Sequence, residues 1–171
     1  MNPFIRRPTV LIFMGVSGSG KTTVGTLLAK RIGAIYFEGD EFHPPENIEK
    51  MHRGVPLTDA DREKWLRTLR EIITRSLDQG RFTVMACSAL KAAYRDLLQG
   101  GDPCVQFVHL TGPRAVIEER LKARRNHFMP PTLLDSQLAT LEPPSYALTF
   151  SCEKSPDEIV TALIQTLGIG D

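Results

Sequence analysis

The sequence predicts an α/β protein in which a five-stranded parallel sheet is flanked by helices. Two observations carry this prediction. Short apolar segments rich in β-branched and aromatic residues alternate with stretches whose apolar residues recur at helical spacing. Because parallel neighbours need a crossover connection, this alternation is typical of a parallel sheet. The predicted strands are residues 9–14, 34–37, 82–87, 105–110 and 148–152.

The predicted helices are bounded by residues that commonly start or stop a helix. The longest begins near Thr58, whose hydroxyl can cap the first turn, and Gly80 ends it. Pro156 suits the first turn of the last helix. No helix is predicted in the polar, proline-containing stretch from His43 to Leu57. The helices are expected to end near Ile32, Gly80, Leu98, Arg125, Leu141 and Leu167.

A glycine-rich segment joins the first strand to the first helix. It matches the pattern G-x-x-x-x-G-K-[ST], in which backbone N–H groups and a helix N-terminus hold a polyphosphate. Lys21 is expected to reach the β- and γ-phosphates of ATP, and Thr22 to ligate Mg²⁺. The flanking strand and helix are the context that the motif requires. The predicted ATP-binding residues here are Gly15, Val16, Ser17, Gly18, Ser19, Gly20, Lys21, Thr22 and Thr23.

Charge and cysteine content narrow the class of protein. The formal net charge is +1 over 171 residues, so no overall field favours nucleic acid or a membrane surface. The three cysteines, Cys87, Cys104 and Cys152, are widely spaced and odd in number, which favours a reducing compartment. No signal peptide or membrane-spanning segment is predicted. We therefore expect a cytoplasmic protein with a single domain over residues 1–171.

Polar residues follow the predicted strands at the edge where ligands of open α/β sheets bind. Asp40 comes just after the second strand, where a carboxylate can deprotonate an attacking hydroxyl or hold Mg²⁺ through water. Alternatively, Asp40 is a turn residue with local hydrogen bonds only. Ser88 to Lys91 follow the third strand. We expect these residues and the glycine-rich segment to converge on one crevice.

Cationic residues cluster at two places near this expected crevice. Several cations on one short segment suit an anionic acceptor such as a carboxylate. Lys91 and Arg95 are four residues apart, so a helix would place them on one face, directed at the crevice. The alternative for both groups is ordinary exposed surface charge. The first group, between the second strand and the next helix, consists of His43, Lys50, His52 and Arg53.

A third basic group, Arg120, Arg124 and Arg125, precedes a proline-bearing loop. Arginines on a mobile segment can close over ATP and neutralise charge in the transition state. The alternative is a helix C-terminus enriched in cations, which the helix dipole favours. Two other side chains are interpreted as structural: Trp65 as a packing residue, and His109 as a core histidine with satisfied hydrogen bonds.

Several longer segments make the chain resemble the gluconokinases in their small P-loop form. The resemblance spans about residues 10–142, and its most selective runs are G-D-x-x-H-P at 39–44, C-S-A-L-K-x-x-Y-R-D at 87–96 and H-F-M-P at 127–130. It implies a nucleoside-monophosphate-kinase-like P-loop fold and transfer of the ATP γ-phosphoryl group to the 6-hydroxyl of D-gluconate. It also suggests a homodimer.

The resemblance further implies roles for individual residues. Lys21, Asp40 and Arg124 would be catalytic, and Arg120 with Arg124 would extend the ATP site. The substrate-binding residues would be Asp40, His43, Lys50, Arg53, Ser88, Lys91, Arg95, His127 and Gln137.

A P-loop also occurs in proteins with two other functions. A GTP-dependent switch would carry an N-K-x-D run for guanine, and this chain has none. The nearer alternative is a small-molecule kinase for another hydroxy acid, such as a shikimate-type enzyme. In a kinase of this size we expect a substrate-binding segment at about residues 41–80 and a small lid at about 124–141.

Overall fold

The computed structural model describes residues 9–124 and 133–169 of the chain. The described residues form a five-stranded sheet with the order β2-β3-β1-β4-β5, and all of its strand pairs are parallel. This confirms the predicted fold class. The strands are β1 (Val10–Met14), β2 (Ile35–Glu38), β3 (Thr83–Ala86), β4 (Val105–Thr111) and β5 (Leu148–Ser151). The helices are α1 (Lys21–Ile32), a 3₁₀ turn (Gly39–Phe42), α2 (Pro45–His52), α3 (Asp59–Asp78), α4 (Ala92–Gln99), α5 (Arg114–Ala123), α6 (Leu134–Thr140) and α7 (Pro156–Leu167).

The central strand β1 is buried along its whole length. Val10 is in register with Thr83 of β3 on one side and with Val105 of β4 on the other. An entirely apolar strand is the pattern expected where helices cover both faces of a parallel sheet. Because all five strands run the same way, the loops after β1, β2 and β3 emerge at one edge of the sheet.

Helices cover the sheet on both faces. On one face, Ile12 and Met14 pack in a core with Trp65 and Leu69 of α3. On the other face, residues of α1 and α7 close a second core over Leu11. A smaller cluster of apolar side chains lies at the carboxyl edge, where it joins α5 and α6 to the glycine-rich segment: Val16, Leu90, Ile117, Leu121, Leu134 and Cys152.

Helix ends follow the capping residues of the sequence closely. Thr58 caps α3 through its hydroxyl, which accepts a hydrogen bond from the N–H of Asp61, and the Asp61 carboxylate accepts one from the N–H of Thr58. Gly33 ends α1 in the left-handed region at φ 66°. The last helix has the predicted bounds. Arg124 lies just beyond α5, so the prediction that this helix extends to Arg125 was wrong.

One helix was missed. The stretch from His43 to Leu57 contains α2, although no helix was predicted there. Prolines 44 and 45 suggested a loop, but Pro45 occupies the first turn, where a missing N–H costs nothing. α2 is only eight residues long, and it buries Asn47 and Met51. Within the part of the chain that the structure describes, no helix is both long and apolar enough to cross a bilayer.

Candidate active site

The glycine-rich segment wraps between β1 and α1 with backbone angles that require glycine. Gly15 has φ 139°, and a Cβ there would collide with the Leu110 carbonyl oxygen. A Cβ on Gly18 (φ 87°) would lie 2.9 Å from Cγ of Leu121. The N–H of Gly15 donates to the Ser88 carbonyl, 3.2 Å away, which ties the segment to the loop after β3. The motif is therefore held in one shape by its neighbours.

Two groups of this segment fit a polyphosphate. The Lys21 ammonium donates to the Val16 carbonyl (3.0 Å) and so lies back over the loop. Burial lowers the pKa of Lys21, and the negative charges of Asp40 and Glu38 oppose that shift. The hydroxyl of Ser19 is buried and has no hydrogen-bond partner among the described residues. A phosphate oxygen would supply that partner.

Oxygen atoms suited to Mg²⁺ lie beside Lys21. The Thr22 hydroxyl donates to Oε2 of Glu38 (2.6 Å), and the Tyr36 hydroxyl donates to the same oxygen (2.8 Å). Hydroxyl and carboxylate oxygens are ligands that Mg²⁺ prefers. The fit supports Thr22 as the predicted metal ligand. It also adds Glu38, which the sequence analysis missed although it stands two residues before Asp40.

Asp40 lies in the 3₁₀ turn after β2, half-buried in the same cavity as Lys21. Burial raises the pKa of Asp40 to about 6, and the nearby Lys21 ammonium limits that rise. His43 Nε2 is 3.9 Å from Oδ1 of Asp40, and its ring stacks on Trp65 with 4.0 Å between centroids. Burial, with a smaller contribution from the Arg62 charge, lowers the pKa of His43 to about 4. At neutral pH His43 is therefore uncharged.

Two hollows flank the glycine-rich segment, and Arg124 lines both of them. The first contains eight predicted site residues together with residues that were not predicted to belong to a site. The second is a cleft of about 400 Å³ beside α1, α5 and α7. The first is lined by Ser17, Lys21, Thr22, Glu38, Asp40, His43, Met51, Leu57, Arg62, Trp65, Ser88, Leu90, Arg124 and Gln137. The second is lined by Gly18, Ser19, Gly20, Thr23, Val24, Arg120, Ala123, Arg124, Cys152, Lys154, Pro156 and Ile159.

Four predicted acceptor-binding cations do not line the first hollow, which we call the acceptor cavity. Lys50 makes an ion pair with Asp61 (2.8 Å), which holds the pKa of that carboxyl at about 2. Lys91 makes an ion pair with Asp59 (2.8 Å) and precedes α4 instead of sharing a helix face with Arg95. Arg53 is exposed at the end of α2.

Arg95 is buried and hydrogen-bonded to backbone carbonyls. Its Nη1 donates to the carbonyls of Ala89 (2.8 Å) and Leu90 (3.0 Å), and its Nη2 to that of Glu142 (2.9 Å). Ala89 has φ 44°, an uncommon conformation for a residue other than glycine. Arg95 thus fixes the loop that carries Ser88, and it does not line the acceptor cavity.

The remaining predicted residues fall into three groups. Gln137 of α6 lines the acceptor cavity, and its Oε1 accepts the N–H of Ser17 at 2.6 Å. Arg120 lines the second cleft, with Nη2 donating to the Cys152 carbonyl (2.6 Å). Residues 125–132, which include Arg125, His127 and part of the predicted lid, lie outside the described residues.

Trp65 and His109 had been interpreted as structural. Trp65 packs as predicted, and its Nε1 donates to the Gly39 carbonyl (2.8 Å), although its ring also lines the acceptor cavity. His109 is buried in β4, but its Nε2 has no hydrogen-bond partner within residues 9–124 and 133–169. The prediction of a satisfied histidine was therefore wrong for that nitrogen.

The chain is similar in sequence and in structure to known proteins. The family described as "AAA domain" matches residues 10–144. The gluconokinase of Gluconobacter oxydans (strain 621H) is 47% identical over 162 residues, covering 93% of this chain and 91% of that protein. A solved sugar kinase from Janibacter sp. HTCC2649 is 45% identical and superposes with a TM-score of 0.88 over 95% of both chains. A solved gluconokinase from Sinorhizobium meliloti 1021 is 42% identical, with a TM-score of 0.82 over 95% of this chain and 93% of its own. The chain therefore belongs to the gluconokinase family of P-loop kinases.

Proposed function

We propose that this protein transfers the γ-phosphoryl group of ATP to the 6-hydroxyl of D-gluconate, giving 6-phospho-D-gluconate and ADP. The observation that carries the proposal is that Asp40 and Lys21 line one cavity at the carboxyl edge of the sheet. A base and a phosphate-binding cation in one cavity would serve an acceptor hydroxyl and the γ-phosphate together.

In the proposed reaction the 6-oxygen attacks the γ-phosphorus. A new P–O bond forms, the bond to the β,γ-bridging oxygen breaks, and ADP leaves. Asp40 accepts the hydroxyl proton, and Lys21 counters charge on the phosphate oxygens. A pKa of about 6 leaves Asp40 mostly ionised at pH 7 and still able to hold the proton. Mg²⁺ would be held by Thr22, with Glu38 beside it, and would neutralise phosphate charge when bound.

The second cleft is the proposed site for the rest of the nucleotide. It adjoins Gly18 to Gly20 of the glycine-rich segment, and Arg120 and Lys154 contribute positive charge to it. Arg124 lines both hollows, so its guanidinium is available to the phosphates from either side. This arrangement supports Arg124 as the third proposed catalytic residue.

We also propose a domain organisation, a cellular location and an oligomeric state. We retain a single domain over residues 1–171, with an acceptor-binding segment at about 41–80 and a lid at about 124–141. Met51 and Leu57 of that segment pack with Leu133 of the lid arm, which would couple the two. A cytoplasmic location and a homodimer complete the proposal, and cell fractionation and sedimentation velocity test them.

One coupled assay tests the activity. ADP release is followed with ATP and Mg²⁺ across D-gluconate, shikimate and related hydroxy acids, and the phosphorylated product is identified by NMR. We expect gluconate to have the highest kcat/KM and the phosphate to be on O6. A higher value with shikimate would favour the alternative shikimate-type activity. That alternative is less supported, because the relatives at 42–47% identity are named gluconokinases or a sugar kinase.

A further inference from the structure

The acceptor cavity holds positive charge from three different elements. Among the described residues that line it, the side chains charged at neutral pH are the cations Lys21, Arg62 and Arg124 and the anions Glu38 and Asp40. His43 is excluded from the cations because burial lowers its pKa to about 4. A sugar acid brings one carboxylate into this cavity, and that carboxylate needs a cation of its own.

Two of the three cations influence each other. Lys21 belongs to the glycine-rich segment, and the Arg124 charge is close enough to help lower the pKa of Lys21. Arg62 comes from a different element. It is on the first turns of α3, one turn before Trp65, and its charge acts on His43. Arg62 is therefore the cation that the acceptor-binding segment contributes to the cavity lining.

Hydrogen bonds from one guanidinium nitrogen hold Arg62 in place, and the other two nitrogens make no hydrogen bond to the described residues. Nη1 donates to the Leu57 carbonyl and to the Tyr94 hydroxyl (3.5 Å), and the guanidinium carbon lies 5.7 Å from the Tyr94 ring centre. Within the described part of the chain, both of its hydrogen bonds use Nη1. The remaining N–H groups, on Nε and Nη2, form the edge with which arginine binds a carboxylate through two hydrogen bonds.

The Asp59 carboxylate, which the Arg62 charge also influences, already has closer partners. It accepts the Tyr94 hydroxyl and is ion-paired with Lys91 at 2.8 Å. These two hydrogen bonds lower the pKa of Asp59 most, and the Arg62 charge adds a smaller contribution, so Lys91 is the main partner of that carboxylate. The same pairing explains why Lys91, a predicted substrate ligand, does not line the acceptor cavity.

We propose that Arg62 binds the carboxylate of the acceptor and selects sugar acids over neutral sugars and polyols. This inference rests on the proposed function and adds the group that recognises C1 of gluconate. With the carboxylate at Arg62 and the 6-hydroxyl at Asp40, the acid would contact the cavity that Trp65 and Met51 also line.

The test compares gluconate with D-glucitol, in which an uncharged CH₂OH group replaces the carboxylate. Calorimetry with the ADP-bound protein gives the Kd of each compound for the wild type, Arg62→Met and Arg62→Lys. The matched control is Arg67→Met, since Arg67 is exposed on the same helix and paired with Glu63. We expect Arg62→Met to weaken gluconate by about 10- to 100-fold, the effect of losing a charge-assisted hydrogen-bonded pair. Arg62→Lys should lie between the two.

Glucitol affinity should be the same in the wild type and in Arg62→Met, and ADP affinity should change less than twofold. Equal weakening of gluconate and glucitol would overturn the proposal, because Arg62 would then only shape the cavity. Unchanged gluconate affinity in Arg62→Met would also overturn it, as would a specific loss in Arg124→Met instead. Binding of gluconate without turnover by the wild type would refute the proposed activity, and the Kd comparison would still decide the role of Arg62.

Discussion

The phosphate side and the acceptor side of the site are built differently. The phosphate side is one run of eight residues, Gly15 to Thr22, whose backbone forms the loop and whose glycines fit against Leu110 and Leu121. The acceptor side is assembled from side chains on the 3₁₀ turn, α2, α3, the loop after β3 and α6. A local sequence pattern specifies the first region. Only the packing of distant elements specifies the second.

The partners of the cations also differ between the two regions. On the phosphate side, Lys21 lines the cavity, and among the described residues its hydrogen-bond partner is a backbone carbonyl. On the acceptor side, Lys50 and Lys91 are bound by the carboxylates of Asp61 and Asp59. A cation near a site in sequence thus stays outside the cavity lining when a neighbouring carboxylate engages it.

The largest effect is expected at the residue between the two regions. Asp40→Asn keeps the size of the side chain and removes the base, so kcat should fall by about 10²- to 10⁴-fold. ATP affinity should change little. The matched control is Glu41→Gln, an exposed carboxylate on the same 3₁₀ turn. Surviving activity with a lowered Tm would instead make Asp40 a turn residue.

The pH profile gives a second readout of Asp40. Its pKa is raised to about 6, and the ionised form is the base, so wild-type kcat/KM should fall as the pH drops through about 6. Asp40→Asn should lack this acid limb while retaining low activity. An identical acid limb in the variant would assign it to another group.

Lys21→Ala tests the phosphate side. Loss of the ammonium removes charge compensation that acts mainly in the transition state, so kcat should fall by about 10²-fold or more while the fold persists. Steady-state kinetics and circular dichroism are measured on one preparation. Lys30→Ala, on the exposed last turn of α1, is the control. Wild-type kcat in Lys21→Ala would mean that the glycine-rich segment is not the catalytic phosphate site.

Arg95→Met tests whether Arg95 binds the substrate or holds the loop after β3. The change removes the Arg95 hydrogen bonds to three backbone carbonyls, of which the Leu90 carbonyl keeps the N–H of Glu142 as a donor. The free energy of unfolding should therefore fall by about 3 kcal/mol, and Tm by about 10 °C. Thermal unfolding followed by circular dichroism measures this. If the variant lost gluconate affinity at an unchanged Tm, Arg95 would be a substrate ligand, as the family resemblance implied.

Arg124→Ala should have a smaller effect on turnover. Because Arg124 lines both hollows, its removal should lower kcat/KM for gluconate by about tenfold, and the ratio of ATP hydrolysis to sugar phosphorylation should rise. Lys122→Ala, exposed and paired with Glu118 on α5, is the control. Equal kinetics in the two variants would leave Arg124 as an ordinary helix-end cation.

The smallest effect is expected for Lys50→Met. The ion pair with Asp61 is partly exposed, so Tm should fall by about 2 °C or less. The gluconate KM should not change, because Lys50 does not line the acceptor cavity. A tenfold rise in KM would show that the sequence interpretation of Lys50 as an acceptor ligand is right and that the ion pair opens on binding.

Most of the fold was predictable because its signals are local. Apolar runs identified the five strands, and Thr58, Gly33 and Pro156 marked helix ends to within two residues. α2 was missed because its two prolines resemble loop residues until the first turn of a helix is recognised. The residues of the site were harder to predict from the sequence. Asp40 and Ser88 were found from their place after strands, whereas Glu38 and Arg62 carried no separate signal.

By itself, the sequence determined the sheet, the phosphate loop and the carboxylate beside it, since each depends on residues within one strand–loop unit. Only the tertiary structure decided which cations face the acceptor. Lys50, Lys91 and Arg95 were equal to Arg62 as isolated charges, but Asp61, Asp59 and the carbonyls of the loop after β3 engage them first. The physical reason is that buried or half-buried charges require partners. The folded chain supplies partners to all of these cations, and of the four only Arg62 lines the acceptor cavity.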